Sequence, residues 1–214
     1  MAKILVGVTG SVAAIKTPEL VCALQQADHE VRVIATRPAL YFFDRSDLTQ
    51  QVLFTDDDEW PRLGTNQAWQ RADPVLHIEM RRWADLLLVA PLDANTLAKL
   101  AMGISDNCLT CVWRAWDLSR PVILAPAMNT LMWQNPHTAL HLQQLANVFG
   151  ENPPASTGAD AIAAWINEHL KPRLSIAGPI EKMLACGDLG MGAMSEVSQL
   201  VDAIQDVLNI SNKA

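Results

Sequence analysis

The chain has 214 residues, of which 50% are hydrophobic and 18% are charged, and this composition is typical of a single globular domain with a sizeable core. The formal net charge of -7 disfavours a general nucleic-acid-binding surface, and an acidic substrate would need a locally basic pocket. Neither a secretory leader nor an apolar run of about 18 residues is recognisable, so we expect a soluble, cytoplasmic protein without a membrane segment.

The four cysteines, Cys22, Cys108, Cys111 and Cys186, are too few and too irregularly spaced for a secreted disulfide framework. Cys108 and Cys111 have the C-x-x-C spacing, but no second pair and no spaced histidine pair accompanies them. Their apolar neighbours favour two buried helical thiols over half a zinc site or a redox pair. We therefore predict that the protein holds no metal.

The apolar segment 3–9 predicts a central strand, and a Gly10-Ser11 turn leads from it into an amphipathic helix that must restart at Pro18. Such a turn can bind an anion, because free backbone amides and the helix dipole point towards it. The segment matches neither the phosphate-loop nor the dinucleotide fingerprint, since it has too few glycines. A mononucleotide phosphate site and a simple Ser11 N-cap both remain open.

A second parallel strand is predicted at residues 29–35, and Thr36-Arg37-Pro38 closes it at the same edge of the sheet. Thr36 and Arg37 could therefore help to hold a phosphate, although an Arg at a strand end is usually only solvated.

The signal between residues 41 and 73 is mixed. It predicts a short helix at 39–43 and a strand at 51–54. The acidic run 56–59 is interpreted as a solvated face, and regular structure resumes at 74–79.

The four apolar residues 86–89 predict a strand that is buried on both faces of a parallel sheet. The polar loop Asp93-Ala94-Asn95-Thr96 follows that strand, and a helical pattern begins at once. Ligands of open parallel sheets bind at the carboxyl ends of strands, so this loop is a candidate site. On this stretch alone, a helix N-cap formed by Asn95 or Thr96 is the stronger interpretation.

The second half of the chain repeats the arrangement. Residues 95–116 predict two helices with a break near 103–106, and the apolar strand 121–128 ends in a second polar tip, Asn129-Thr130. Two neighbouring tips suggest one shared ligand. The glycine-rich segment 184–194 predicts a mobile, close-fitting loop instead of a regular element. Further elements are predicted as helices at 138–149, 159–170 and 195–208 and a strand at 174–177.

Several segments, in this order along the chain, resemble the phosphopantothenoylcysteine decarboxylases, a family within the homo-oligomeric flavin-containing cysteine decarboxylases. They are VGVTGSVAAIK, DPVLHIEMRRWADLLLVAPLDANTLAKLA, DNCLTCVWRAWD, PAMNTLMW and LACGDLGMGAM. The resemblance implies a flavodoxin-like, Rossmann-like α/β sandwich of three layers, with helices on both sides of a central parallel sheet. It also implies bound FMN and a homotrimer with active sites between subunits.

The activity implied by the resemblance is decarboxylation of 4'-phospho-N-pantothenoylcysteine to 4'-phosphopantetheine in coenzyme A biosynthesis. Loss of CO2 from a cysteine carboxylate leaves a carbanion that needs an electron sink, and a flavin can provide one by oxidising the thiol to a thioaldehyde. The enethiol formed after loss of CO2 must then be reduced again. An acidic cysteine on a closing loop suits the proton transfer of that last step.

The resemblance also implies roles for single residues. His77 would be the acid/base during thiol oxidation, Cys186 the final proton donor, and Asn129 a hydrogen-bond partner of the substrate carboxylate and amide. Without the resemblance, a buried structural histidine, an ordinary thiol and a helix cap would be the simpler interpretations. The residues implied to bind FMN are Gly10, Ser11, Val12, Thr36, Arg37, Pro38, Asp93, Ala94, Asn95, Thr96 and Ala127. Those implied to contact substrate, besides Asn129, are Ala185, Met194 and Arg82, with Arg82 balancing charge near His77 or the substrate.

We predict one flavoprotein domain over 1–214, with a substrate-clamp loop at about 183–195. Residues 151–173 form a Pro-rich link and a helix where the family usually has a short connection, which would be a lid, an oligomer contact or a surface elaboration. Relatives usually have a basic residue just before Leu184, where this chain has Met183. Either Lys182 provides the expected phosphate contact or the contact is missing.

Two other functions fit the same resemblance. A peptide-modifying relative would decarboxylate a C-terminal cysteine oxidatively and stop at the enethiol, but it has no use for the reducing thiol Cys186. A non-catalytic regulatory subunit would tend to lose the histidine or the cysteine, whereas this chain has both His77 and Cys186.

Overall fold

The computed structural model describes residues 1–49, 52–71, 73–154, 158–183 and 189–211. Within them, a parallel sheet with helices on both faces confirms the predicted α/β class. The strands are β1 (Lys3–Val8), β2 (Glu30–Ala35), β3 (Leu53–Phe54), β4 (Leu86–Leu92), β5 (Val122–Pro126), β6 (Leu174–Ile176), β7 (Ile180–Met183) and β8 (Leu189–Ala193). Every residue of β4 and β5 is buried, as expected for strands covered on both faces.

The order of strands in the sheet is β3-β2-β1-β4-β5-β6. Without the two-residue β3, the remaining five strands have the flavodoxin order, in which β2 pairs with one edge of β1 and β4 pairs with the other edge. The direction of winding therefore switches between β1 and β4. At such a switch point the connections diverge and leave a crevice at the carboxyl ends of the strands, where ligands of this fold bind.

Helices cover the sheet in two layers, which gives three layers in all. The helices are α1 (Thr17–Gln26), α2 (Asp56–Glu59), α3 (Leu76–Trp83), α4 (Ala94–Met102), α5 (Cys108–Arg114), α6 (Thr130–Trp133), α7 (Pro136–Val148), α8 (Ala159–His169) and α9 (Val197–Ser211). The apolar side chains of α1 and α9 pack in one core cluster, and those of α3, α4, α5, α7 and α8 pack in another on the opposite face.

Several helix boundaries follow from local chemistry. A 3-10 turn at Val12–Lys16 precedes α1, whose first turn contains Pro18, so the predicted restart is confirmed. Helix α4 ends at Gly103 with a left-handed φ of 70°, and Asn107 caps α5. These two caps explain the predicted break between the helices.

Three predictions need correction. The helix predicted at 39–43 is a 3-10 helix at Arg37–Tyr41. The acidic run forms α2, and its last residue, Glu59, is buried with 7% exposure instead of solvated. The glycine-rich segment is a regular element in its second half, because β8 pairs antiparallel with β7.

Helix α8 lies inside the segment predicted as an insertion. It packs between α7 and β6, and it buries Ala159, Ile162 and Ile166 in the core. Cys108 is buried and Cys111 is half-buried on α5, and both thiols are free. Among the described residues, no helix is long and apolar enough to cross a membrane.

Candidate functional site

The ends of β1, β2 and β4 meet around Gly10. The hydroxyl of Thr9 donates to the carbonyl oxygen of Pro91 over 2.8 Å and accepts from the backbone N–H of Asp93 over 2.7 Å, which ties β1 to β4. A Cβ atom on Gly10 would lie 2.6 Å from Cβ of Pro38 and 3.3 Å from Oδ2 of Asp93. Three of the segments predicted to bind cofactor therefore come together here, and only glycine permits their close approach.

Two helical segments begin at the same edge. Ser11 caps the 3-10 turn by accepting from the N–H of Ala13 over 3.4 Å. Asp93 caps α4 by accepting from the N–H of Thr96 over 2.6 Å, so the predicted cap at Asn95 or Thr96 is wrong. The adjacent helix starts point amides and positive dipole ends at one region, which favours an anionic ligand.

A cavity of about 300 Å³ opens beside the Ser11 turn. It extends from this turn to the tip after β5 and to the hairpin formed by β7 and β8. The lining residues are Ser11, Val12, Ala13, Lys16, Ala127, Met128, Asn129, Lys182, Met183, Gly192, Ala193 and Met194.

Strand β8 packs closely against the tip of β5, and its glycines make this possible. The N–H of Met128 donates to the carbonyl oxygen of Gly192 over 2.9 Å. A Cβ on Gly192 would lie 2.1 Å from the carbonyl oxygen of Met128, and one on Gly190 would lie 2.2 Å from Oγ1 of Thr130. Gly192 therefore allows the close approach of another backbone, which is a recognised use of glycine inside strands, and Gly190 makes room for a side chain.

Two lysines and a carboxylate form the charged side of the cavity. Lys182 donates to Oε1 of Glu196 over 2.6 Å, and Lys16 donates to the other carboxylate oxygen. The hydrogen bonds from Lys16 and Lys182 lower the pKa of Glu196 to about 2. A net positive charge therefore faces the cavity from residues that come from two distant parts of the chain.

Asn129 both caps a helix and lines the cavity. Its side-chain oxygen accepts from the N–H of Met132 over 2.8 Å at the start of α6. A backbone N–H can only donate, so the amide oxygen must face it. The amide NH2 of Asn129 is left as the group that can donate to a ligand.

His77 lies in the first turn of α3 and pairs with the buried Glu59. Its Nδ1 is 2.6 Å from Oε1 of Glu59, and its backbone N–H donates to Oε2 over 2.7 Å. In the described part of the chain, His77 is not among the residues that line the 300 Å³ cavity. Arg82 is exposed on the same helix, and five residues of helical rotation turn it about 140° away from His77.

The structure thus brings part of the predicted site together. Ala127, Asn129 and Met194 line the cavity with the Ser11 turn. Arg37 is exposed where its 3-10 helix begins, and Asn95 is exposed in α4. Ala185 and Cys186 lie outside the described residues.

Comparison with known proteins identifies the family. The model of the family described as "Flavoprotein" matches residues 1–209. The chain belongs to the flavoprotein family. It is 47% identical to a phosphopantothenoylcysteine decarboxylase of Mus musculus over 211 residues, which cover 97% of this chain and 87% of the relative. A phosphopantothenoylcysteine decarboxylase of Oryza sativa subsp. japonica is 44% identical over 95% of this chain and 79% of its own length.

Solved structures agree with the fold of this flavoprotein. A PPC decarboxylase mutant complexed with pantothenoylaminoethenethiol superposes with a TM-score of 0.78 and 41% identity, covering 97% of this chain and 98% of that one. The FMN-binding protein AtHal3 gives a TM-score of 0.73 and 43% identity over 95% of each chain.

Proposed function

We propose that this flavoprotein binds FMN and decarboxylates 4'-phospho-N-pantothenoylcysteine to 4'-phosphopantetheine, a step of coenzyme A biosynthesis. The observation that carries the proposal is the match to a PPC decarboxylase in complex with pantothenoylaminoethenethiol, at 41% identity over nearly the whole chain. The cavity beside the Ser11 turn, with an amide donor and two lysines around it, suits a phosphorylated, carboxylate-bearing substrate.

The residues at the sheet edge fit FMN. The close approach of Gly10, Pro38 and Asp93 brings the starts of two helical segments together, and helix starts favour a bound phosphate. When bound, FMN would supply the two-electron redox chemistry that oxidation of the thiol and reduction of the enethiol require. The residues that we propose to hold it are Gly10, Ser11, Val12, Thr36, Arg37, Pro38, Asp93, Ala94, Asn95, Thr96 and Ala127.

We assign Asn129 to the substrate carboxylate and amide. The backbone N–H of Met132 holds the amide oxygen of Asn129, so the side chain does not rotate freely. The direction of the NH2 group is therefore fixed. A donor fixed in this way orients the carboxylate that is to leave as CO2. Met194 would contact the substrate from the hairpin side, and we assign Ala185 to the substrate as well. Arg82 would balance the charge of the substrate.

His77 would exchange protons with the substrate thiol, and this role requires a second copy of the chain. The apolar residues of α3, which carries His77, pack in one core cluster, whereas Ala127 and Met194 of the cavity pack in the other, so we propose a homotrimer in which His77 of a neighbouring copy reaches the cavity. Three apolar side chains near the cavity support a subunit contact, since Val12, Ile15 and Leu131 are 49%, 66% and 79% exposed. A cytoplasmic location is consistent with this activity.

Complementation tests the shared site. His77→Asn and Asn129→Ala should each be inactive as pure oligomers, and mixed oligomers should regain part of the activity if each site takes these residues from different subunits. Sedimentation should give a trimer. Mixed oligomers as inactive as their parents would contradict the shared site.

Two measurements test the activity. The purified protein should show a flavin absorbance spectrum, and a colourless protein that cannot be reconstituted with FMN would eliminate the proposal. Mass analysis of the product should show loss of CO2 alone with the unaltered protein, and loss of CO2 plus two hydrogens with Cys186→Ser. Identical products would refute the role of Cys186. An unaltered protein that releases only the enethiol would instead indicate a peptidyl-cysteine decarboxylase.

A further inference from the structure

We propose that Glu59 is a positioning residue for His77, which fixes the imidazole in the tautomer that carries its proton on Nδ1 and leaves Nε2 as the basic nitrogen. This inference rests on the proposed function in one respect, namely that His77 exchanges protons with the substrate. The pairing itself is a property of the structure and can be measured in the absence of substrate.

The geometry uses both oxygens of one carboxylate. Oε1 of Glu59 lies 2.6 Å from Nδ1 of His77, and Oε2 accepts from the backbone N–H of the same residue over 2.7 Å. Glu59 is only 7% exposed, so water competes little for these two bonds. The backbone and the ring of His77 are therefore held by a single side chain, which fixes the direction of the imidazole as well as its tautomer.

Helix α3 depends on the same carboxylate for its N-terminus. Val75 occupies the N-cap position, and its apolar side chain cannot accept from the free amides of the first turn. Glu59 supplies the missing acceptor from α2, and its negative charge interacts favourably with the positive end of the helix dipole. A purely structural role for Glu59 is therefore the alternative that an experiment must separate.

Two carboxylates of α2 accept from the first turns of two other helices, α3 and α5. Oδ1 of Asp56 accepts from the N–H of Cys108, the first residue of α5, over 2.8 Å. The thiol of Cys108 lies 3.8 Å from Oε2 of Glu59. Burial, together with the charges of Glu59 and Asp56, raises the pKa of Cys108 far above its usual range, so the thiol stays a neutral donor.

The tautomer follows from the donor and acceptor chemistry. The backbone N–H can only donate and a carboxylate can only accept, so Glu59 offers an acceptor to the ring and Nδ1 must carry a proton. A neutral imidazole with Nδ1 protonated has its lone pair on Nε2. The S–H bond of the substrate thiol then breaks as an Nε2–H bond forms, without any earlier change in the ring.

Glu59→Gln tests the inference because it retains the shape but has only one acceptor. The backbone N–H of His77 still donates to the amide oxygen of the new side chain, so the NH2 group of that side chain faces Nδ1. The ring proton must then move to Nε2. We expect kcat to fall by about 10²- to 10⁴-fold, as for a histidine held in the wrong tautomer, while KM changes by less than about threefold. FMN binding should be retained.

The decisive readout is the 15N chemical shift of the two ring nitrogens of His77 in protein labelled at histidine, at a pH where the ring is neutral. His77→Asn identifies the signals among the five histidines. The unaltered protein should show a protonated Nδ1, and Glu59→Gln should show a protonated Nε2. Asp57→Asn, an exposed change in the same helix, should leave both the tautomer and kcat unchanged.

The outcomes separate the alternatives. If Glu59→Gln lowers the melting temperature but retains the tautomer and kcat, then Glu59 is a helix cap only and the inference fails. If that variant does not fold, the unaltered protein still decides, because a proton mainly on Nε2 would refute the pairing. Full activity in His77→Asn would overturn the proposed role of His77 in catalysis and leave the tautomer result standing.

Discussion

Substitution of Gly10 by alanine is the most direct test of the turn that we assign to FMN. The new Cβ would lie 2.6 Å from Cβ of Pro38 and 3.3 Å from Oδ2 of Asp93. The proline ring cannot rotate away, because its Cβ is tied to the backbone. The turn itself must therefore move relative to Pro38 or Asp93.

The expected size follows from the cost of overpacking, which is about 1–3 kcal/mol for an added methyl group without room. If the movement displaces the amides that hold the phosphate, this energy appears in the binding of FMN. An energy of about 1–3 kcal/mol corresponds to an increase of about 5- to 150-fold in the Kd for FMN. If the loss of FMN affinity is smaller than this, the rest of the strain remains in the folded protein. The melting temperature of the FMN-free protein should then fall.

Titration of FMN-free protein with FMN, followed by flavin fluorescence, measures this Kd. Gly158→Ala is the matched control, because Gly158 has a φ of -70° and a Cβ there meets nothing within 4 Å. The control should retain the Kd of the unaltered protein. A Gly10→Ala variant with unaltered Kd and lowered melting temperature would refute the assignment of this turn to FMN.

Three further predictions concern residues around the cavity and the outer helices. Lys182→Met should raise KM about tenfold for the phosphorylated substrate and leave that for pantothenoylcysteine unchanged, because a hydrogen bond between charged groups is worth about 1.5–3 kcal/mol. An equal change for both substrates would show that Lys182 does not contact the phosphate. The low pKa of Glu196 stabilises the fold above the ordinary carboxyl pKa and loses this effect as the pH falls towards about 2. Glu196→Gln should therefore lose less stability than the unaltered protein between pH 5 and pH 2 in urea unfolding, by under about 1 kcal/mol because the side chain is 40% exposed. Asp160→Ala should destabilise the protein by about 1 kcal/mol through loss of the 2.8 Å bond from Nε1 of Trp133, whereas Asp160→Asn should retain most of it. Equal melting temperatures for the two variants would refute that estimate.

The strands that position the site could be predicted because their apolar sequence agrees with their burial in the sheet. The run 86–89 is apolar at every position, and it can be buried only where helices cover both faces of a sheet. The loop after it could then be placed at the carboxyl edge without any tertiary information. The identity of the cap could not, since Asp93, Asn95 and Thr96 are all suitable residues and only the backbone geometry selects Asp93.

Strand β8 was predicted as part of a loop because its glycines have low intrinsic strand propensity. Gly190 faces the side chain of Thr130, and Gly192 faces the backbone of Met128. Neither position has room for a Cβ, and both neighbours lie some 60 residues earlier in the sequence. A local sequence pattern cannot distinguish a glycine that makes a loop flexible from a glycine that allows close packing against a distant residue.

Glu59 shows why the candidate site was incomplete in the sequence. Four acidic residues in a row predict a solvated face, and nothing local distinguishes the last one. The available signals were indirect: Val75 cannot cap the helix that carries His77, so an acceptor from elsewhere was required, and Trp60 follows Glu59 with apolar surface to bury. A buried carboxylate needs hydrogen-bond donors. His77, in the first turn of a helix without a side-chain cap, provides two of them, its backbone N–H and its Nδ1. The carboxylate that accepts from the first turn of the helix is therefore also the one that we propose to fix the ring of His77.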